Sequence, residues 1–584
     1  MTKTLKIAIG IAVLVLAACG PAAQPTATVA PATATSAPRP TATVAQRVTP
    51  APATATAVPT QAPSATGTGV GKPQYGGIFT TQLRGDPFGW DPQRLTGGFL
   101  DGLKVGSMVF EPLAGYPAPL DIPDCALAPK PLALEKWDWT NDTTLDLKLR
   151  QGMRFQNKPP VNGREVTSDD AVFSLNRALQ YKPQGVGPIA LRVVDVKALD
   201  RYTVRMAFDQ PTPMAIERLI VSIYAPFVMP KEAAIDGKYD DPAKTAIGSS
   251  AFMFKEYRPG VKVSYIKNPD YWNKGLPYVD GVDMLIIPDQ STRMALFQAG
   301  KLDLWLGEVP ATFVAPLRKA PQGKLFLCSP TTQDGFIAPR NDLPPFNDVR
   351  VRRAVSMALD RKVLLDTVLG GLGTETIYAP AGIYPWAQRI QDLPPETRKY
   401  VEHHPDEAKK LLAEAGFPNG LKTTLDGSPQ YGSPHVPYLE AMQAMFAEAG
   451  ISAAIKWWEY TAFQNGPNMG KHEGLALVRY SYIDLYQAVN WLYPKYEENP
   501  NNKAHVDDPV LSKLAEQIYA AVDPAKRDDL MRQFVTRMAD QAVVIPLPAL
   551  NEVTVVQRSV GGFHMAGQRT QAGPLLTPLW LEKR

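Results

Sequence analysis

The densest run of side chains able to hold another molecule is LALVRYSYIDLYQAVNWLYP, residues 475–494, which sets Tyr480, Tyr482, Tyr486, Trp491 and Tyr493 within fourteen residues. Rings at that density suit a wall against which apolar side chains or sugar rings lie, with alternate members turned into the core and the rest onto the rim. Arg479, just ahead of them, either pairs with a carboxylate or is a surface arginine. Trp457 and Trp458 are neighbours at the end of a strand pattern, so their side chains face opposite ways and divide between core and pocket. Trp90 stands in the turn-rich stretch RGDPFGWDPQRLTGGF, an aromatic in a loop.

Covalent and metal chemistry find less support. His403-His404 with Asp406 and Glu407 has the residue types of a metal cluster, but Pro405 at the first position and acids in the first turn read as a helix start. GGLGTET follows a helix rather than a strand, the wrong context for cradling phosphate. Gly-x-Ser-x-Gly, His-Glu-x-x-His and Cys-x-x-Cys spacings are absent. Neither a metal nor a cofactor is expected. With 57 acidic residues, counting does not exclude a carboxylate pair, so a secreted hydrolase stays the rival class.

The N-terminus carries chemistry of another kind. Lys3 and Lys6 precede an apolar run, Ile7–Ala17, that is shorter than the roughly 20 residues of a membrane span. This is the layout of a secretory signal peptide. Leu16-Ala17-Ala18-Cys19 resembles the lipobox of bacterial lipoproteins, in which the cysteine thiol takes a diacylglycerol and becomes the new N-terminus. Lasting anchorage needs two or more acyl chains. The expectation is a lipoprotein signal peptide over 1–18 with lipidation at Cys19; an ordinary signal peptide cut after Ala18 is the alternative. Residues 19–72 are dominated by Pro, Thr and Ala and have nothing large to bury, so a disordered tether is expected. Its reach is roughly 40 Å as a coil and up to about 150 Å as polyproline. The body would then work at the extracytoplasmic face of the cell envelope, held to the membrane by lipid.

About 510 residues remain, too many for one ordinary core, and two or three domains are expected. Removing residues 1–18 deletes two lysines and no acid, so the net charge of +4 becomes +2. No concentrated basic tract points to a nucleic acid. Cys125 and Cys328 are the other cysteines; the sequence does not bring them together, and two free buried thiols are expected.

Along the body, YGGIFTTQL reads as a strand and TLDLKLRQGMRF as a half-buried strand by its alternation. TSDDAVFSLNRAL opens a helix capped by Thr167 or Ser168. Hairpins turn near Asp200-Arg201 and at Pro259-Gly260. Then VDMLIIP reads as a strand and STRMALFQAGKLDLWL as a helix closed by Gly300 and followed by a strand. NDVRVRRAVSMALDRKVLLDTVL keeps helical spacing through Val351, Val355, Ala358 and Leu359. Two helices ending in Ala-Glu-Ala-Gly, 34 residues apart, each lead into a strand; the glycines are helix stops rather than marks of a repeat. The class is mixed α/β, with hairpins early and βαβ-like alternation later.

In this order the signals resemble the bacterial extracellular solute-binding proteins of family five, the peptide- and nickel-type receptors of ABC importers. LALEKWDWTNDTTLDLKLRQGMRF is similar to that family's early hairpin, and TSDDAVFSLNRAL to the helix after it. IGSSAFMFKEYRPGVKVSYIKNPDYW resembles its Gly-x-Gly-Pro-Tyr … Asn-x-x-Tyr-Trp block, with Ser249, Ser250 and Ala251 in place of the usual small-Gly-Pro tripeptide. PPFNDVRVRRAVSMALDRKVLLDTVLGG resembles its most distinctive run. The resemblance implies a two-lobed, periplasmic-binding-protein-like α/β fold of class II with three domains, closing about a hinge. Lobe I would be discontinuous, built from 73–115, 245–334 and 551–584, with an accessory domain at 116–244; lobe II would run over 335–550.

It also implies where a solute lies: between the lobes, against the loop after the first strand (Trp90, Thr96, Gly98) and a late segment (Arg479, Tyr480, Ser481, Tyr482, Asp484, Tyr486, Trp491), with Trp458 beside it. Peptide receptors of this kind hold their ligand as an added strand and pair its α-amine with an aspartate. That position falls on Ser481 in one alignment and on Asp484 in another; a buried ammonium without a counter-charge is costly, so Ser481 favours neutral solutes. The implied partners are a peptide, or next an oligosaccharide, and the transmembrane subunits of an ABC permease, with the receptor a monomer.

Overall fold

The chain divides into two compact units, Met1–Ala62 and Pro63–Arg584. In the computed structural model the described residues all belong to the second: 72–87, 89–94, 100–115, 129–181, 192–216, 220, 227–306, 309–328, 332–375, 377–379, 385–429, 435–481, 487–493, 499, 501–564 and 572–582. Residues 1–71, Cys19 among them, and Thr96, Gly98, Cys125, Tyr482, Asp484 and Tyr486 lie outside them.

The first strand, β1 (Ile78–Leu83), leads by way of a long connection to an antiparallel sheet. That sheet is built from β2 (Leu134–Asn141), β3 (Thr144–Leu149), β4 (Val193–Asp200) and β5 (Thr203–Phe208), in the order β2-β3-β5-β4. β3 alternates as its sequence predicts: Leu145, Leu147 and Leu149 are buried, while Asp146 turns outward to meet Arg205 of β5 at 2.7 Å. Helix α1 (Ser168–Tyr181) packs on this sheet. Its entry is fixed by Asp170, whose carboxylate reaches back to the Thr167 N–H at 2.9 Å. Ser168 is not the cap; its hydroxyl donates to the Asp200 carbonyl at the β4–β5 turn.

β6 (Phe252–Arg258) and β7 (Lys262–Lys267) form the second hairpin, whose turn needs Gly260 at φ +67°. β8 (Gly281–Ile286) pairs antiparallel with β7 and parallel with β1, completing the sheet β1-β8-β7-β6. Helix α2 (Gln290–Gln298) closes with Gly300, and the short β9 (Leu304–Leu306) follows. β9 joins β10 (Gly323–Cys328) through the late strand described below.

Next comes β11 (Thr332–Pro339) and helix α3 (Val349–Met357). The long helical pattern breaks here: Asp360 accepts from the Val363 N–H at 2.9 Å and starts a new helical turn, so α3 stops short of Leu359. The buried Arg361 then donates to the Pro546 and Val401 carbonyls, at 2.9 and 2.6 Å. Burial pushes its guanidinium down to about 10.

Helix α4 (Pro405–Glu414) leads to β12 (Leu421–Gly427), and helix α5 (His435–Glu448) to β13 (Ile451–Trp457), the two strands being parallel. Their starts touch: Gly420 has φ +90°, and a Cβ there would stand 2.5 Å from the Gly450 carbonyl oxygen. β14 (Leu475–Ser481) continues the parallel set. After helices α6 (Pro509–Ala520) and α7 (Pro524–Gln541), the short β15 (Ile545–Pro546) completes a sheet of order β13-β12-β14-β11-β15. β16 (Glu552–Gln557) lies antiparallel between β9 and β10. The chain thus passes twice between these two sheets, from β10 to β11 and from β15 to β16. The pairing Cys328↔Glu552 marks where the two passages leave the smaller sheet together.

Candidate functional site

Two sets of strand ends and adjoining loops carry the aromatic residues that the sequence singles out. The first is the loop after β1. Asp86 accepts from the Tyr257 hydroxyl and from the Gly260 N–H, each at 2.8 Å, which ties the loop to the β6–β7 hairpin. Partial burial, reinforced by that carboxylate, pushes the Tyr257 hydroxyl up to about 12. Trp90 is half-buried and sets its ring edge-to-face with Tyr257 (centroids 5.1 Å apart) and Phe254 (5.6 Å). Such contacts are each worth about 0.5–1.5 kcal/mol beyond area burial.

The loop's far side is fixed by charge. Arg177, on α1, donates to both carboxylate oxygens of Asp91 and to the Gln93 side-chain oxygen at 2.9 Å, while Gln93 donates to the Ser174 carbonyl at 3.0 Å. The Arg177 guanidinium also lies over the Tyr239 ring, 5.1 Å from its centroid. Trp90 is therefore held between two clamps, one from the β6–β7 hairpin and one from helix α1.

The second set is the carboxyl edge of the parallel strands β12, β13 and β14, the place where open α/β sheets bind ligands. Asp426, the last residue but one of β12, is 2 % exposed. It accepts from the Trp458 indole N–H at 2.5 Å and from the Thr424 hydroxyl at 3.4 Å. Burial raises its carboxyl above the ordinary aspartate range. The Trp458 backbone N–H donates to the Gly427 carbonyl at 2.9 Å, so Trp458 is locked at two points. Trp457, one residue earlier, is 46 % exposed. At the third strand end, Tyr480 pairs with Gln333 and Ser481 with Thr332, the last rungs of the β14–β11 ladder. Ser481 thus stands next to the passage from β10 to β11.

Of the residues the sequence proposes, Trp90, Trp458 and the backbones of Arg479, Tyr480 and Ser481 come to strand ends of this kind. Thr96, Gly98, Tyr482, Asp484 and Tyr486 fall outside the described residues. Trp491 is a core residue here: it is 1 % exposed and packs edge-to-face on Phe336, which in turn stacks on Tyr378. Tyr493 packs at α6, its hydroxyl donating to Glu516 at 3.2 Å. Sequence reasoning missed Asp91, Arg177 and Asp426. The Asp-Gly step closing TTLDG marks Asp426 as an acid at a strand end; nothing local marks the other two as partners.

Residues 128–503 match the family described as bacterial extracellular solute-binding proteins, family 5 middle. The di/tripeptide-binding protein 1 of Pseudomonas aeruginosa is 26% identical over 517 residues, covering 82% of this chain and 90% of its own. A solved ABC transporter-associated periplasmic binding protein of Helicobacter pylori, in complex with the peptide STSA, superposes with a TM-score of 0.74 at 21% identity, over 87% of this chain and 99% of its own. A binding protein from A. tumefacien R10, in complex with agropinic acid, gives 0.74 at 24%, with the same coverage. These likenesses establish the fold as the two-lobed periplasmic binding type.

Proposed function

The chain belongs to the bacterial extracellular solute-binding proteins of family 5, and we propose that it is the capture receptor of an ABC importer, taking peptides between two lobes that close about the paired β10–β11 and β15–β16 passages. Lobe I is assigned to 73–115, 245–334 and 551–584 with the accessory domain 116–244, and lobe II to 335–550. One site observation supports capture most directly: Trp458 is bonded to the Asp426 carboxylate, and Trp90 packs on Tyr257 in a loop that the carboxylates of Asp86 and Asp91 tie down, before any solute arrives. Ready-made contacts of this kind reduce the ordering cost of binding. Closure is selected by the solute because only the closed form makes both sets of contacts.

Peptide is the favoured cargo because the relatives named above include a di/tripeptide-binding protein and a peptide complex. The peptide is held as an added strand by main-chain hydrogen bonds, its amine at Asp484 or, in the other alignment, at Ser481, with Thr96 and Gly98 offering backbone groups. Trp491 packs on Phe336, whose strand β11 pairs with β14 up to Ser481. A second reading, a non-peptide solute, is favoured by Ser481 at the ladder end and by the agropinic acid complex on the same fold. The solute leaves chemically unchanged, and the receptor acts as a monomer. Acylated Cys19 and the tether keep it beside the permease.

A thermal-shift screen of dipeptides, oligopeptides and oligosaccharides tests the cargo, since a ligand at 100 times its Kd adds about 2.7 kcal/mol. Peptides alone should raise the melting point; a response only to saccharides removes the peptide reading, and turnover of any added compound moves the protein to the hydrolases. Cys19→Ser should release the protein from the membrane, and a variant still membrane-bound would refute the anchor.

A further inference from the structure

A cavity of about 690 Å³ opens on the other side of the accessory sheet, between β2–β3 and the segment after β7. Its size suits a small organic or inorganic ligand, and its walls come from two stretches of chain, 135–154 and 270–274. The lining is charged, with Lys148, Arg150, Arg154 and Lys274 facing Glu135 and Asp270. Lys148 and Glu135 neutralise each other at 3.4 Å. The other three cations have no carboxylate within ion-pair distance among the described residues, and Asp270 has no cation, so three positive charges stand against one negative.

Arg150 is the organised member of this set. Its Nε donates to the Leu132 carbonyl at 2.7 Å, and its guanidinium lies 4.3 Å from the centre of the Trp272 ring. Trp272 is itself fixed, its indole N–H donating to the fully buried Glu111 carboxyl at 3.2 Å. The chain of contacts Glu111–Trp272–Arg150, with the bond to Leu132, holds the guanidinium at its Nε and across one face. Both terminal nitrogens of Arg150 lack a protein acceptor among the described residues. A rigid arginine fork with two unused donors fits the paired oxygens of an oxyanion. The surplus of two charges matches a phosphoryl group, which carries close to two negative charges near pH 7, better than a single carboxylate.

We propose that this cavity is a second site, separate from solute capture, that binds a phosphoryl anion through Arg150, Lys274 and Arg154. The anion is either a free phosphate compound or the phosphomonoester headgroup of an anionic lipid in the membrane the receptor faces. Bound there, it would join the accessory sheet to the segment after β7.

The full chain, purified in detergent, is titrated by calorimetry with inorganic pyrophosphate at low ionic strength, and separately mixed with vesicles of phosphatidic acid, whose headgroup is a phosphomonoester, or of phosphatidylcholine. Saturable pyrophosphate binding that weakens at least tenfold in both Arg150→Gln and Lys274→Gln supports a free phosphate compound. Vesicle binding confined to phosphatidic acid and lost in the same variants, with Cys19→Ser as background so that the anchor does not contribute, supports the headgroup. Lys274 is exposed, so its substitution leaves folding intact, and an unchanged thermal shift with peptide separates this site from the capture site. No binding in either arm, or binding that survives both substitutions, overturns the proposal.

Discussion

Arg177 on helix α1 grips both carboxylate oxygens of Asp91, in the loop after β1, across 86 residues of sequence, and both side chains are closed to solvent. This one pair decides where Trp90 can stand, because it anchors the loop end that the β6–β7 hairpin does not reach.

Removing one partner strands the other, buried and unpaired, at a cost of about 3–5 kcal/mol. Asp91→Ala is expected to lose that order of stability in urea unfolding and to weaken solute binding through a loosened Trp90. Arg177→Met combined with Asp91→Leu removes both charges and should recover most of the stability. A double variant no better than Asp91→Ala would show that packing, not charge, holds the loop.

The Asp426–Trp458 contact gives a second test. Trp458→Phe keeps a ring but removes the donor from a buried carboxyl, which costs about 1–3 kcal/mol. Fluorescence or calorimetric titration should show weaker solute binding as the second lock on position 458 is lost. Trp457→Ala, at an exposed position, should change stability by less than about 0.5 kcal/mol. Equal stability losses for the two would deny Asp426 its positioning role.

Two buried groups titrate in opposite senses. Burial pushes the Glu111 carboxyl up to about 7, so between about 4.5 and 7 the folded protein keeps a proton that the unfolded chain has shed. That contribution to stability is complete at low pH and is lost as pH rises through 7, on the order of 3 kcal/mol in all. Burial pushes His472 down to about 4, its Nε2 meeting the Ala338 carbonyl at 2.9 Å. Its contribution is complete above 6.5 and is lost as pH falls toward 4. Between pH 4.5 and 6.5 the two slopes oppose each other, and the parent's melting point should vary little. Glu111→Gln should unmask a melting point that rises with pH across this window, and His472→Gln one that falls. Identical pH profiles for parent and variants would contradict both assignments.

Much of the fold was legible from local chemistry. The alternation of TLDLKL, the two hairpin turns and the glycine stops before β12 and β13 all follow from short-range rules, and the structure has each of them. What local pattern does not carry is pairing at a distance. Arg177 reads as one more polar residue of α1 until the fold brings Asp91 to it. The ring-rich segment 480–493 reads as a wall, yet burial of Trp491 behind Phe336 depends on β11, a strand some 150 residues earlier in the chain. Asp360 shows the opposite case: an acid at a helix break is a local signal, and apolar periodicity alone reads through it.

Solution scattering of the full chain with and without saturating dipeptide tests lobe closure most directly. A fall in the radius of gyration on adding peptide, abolished by Asp91→Ala at the same peptide concentration, is the result expected of a receptor that shuts on its cargo. A radius that stays the same with every peptide bound to saturation would contradict it.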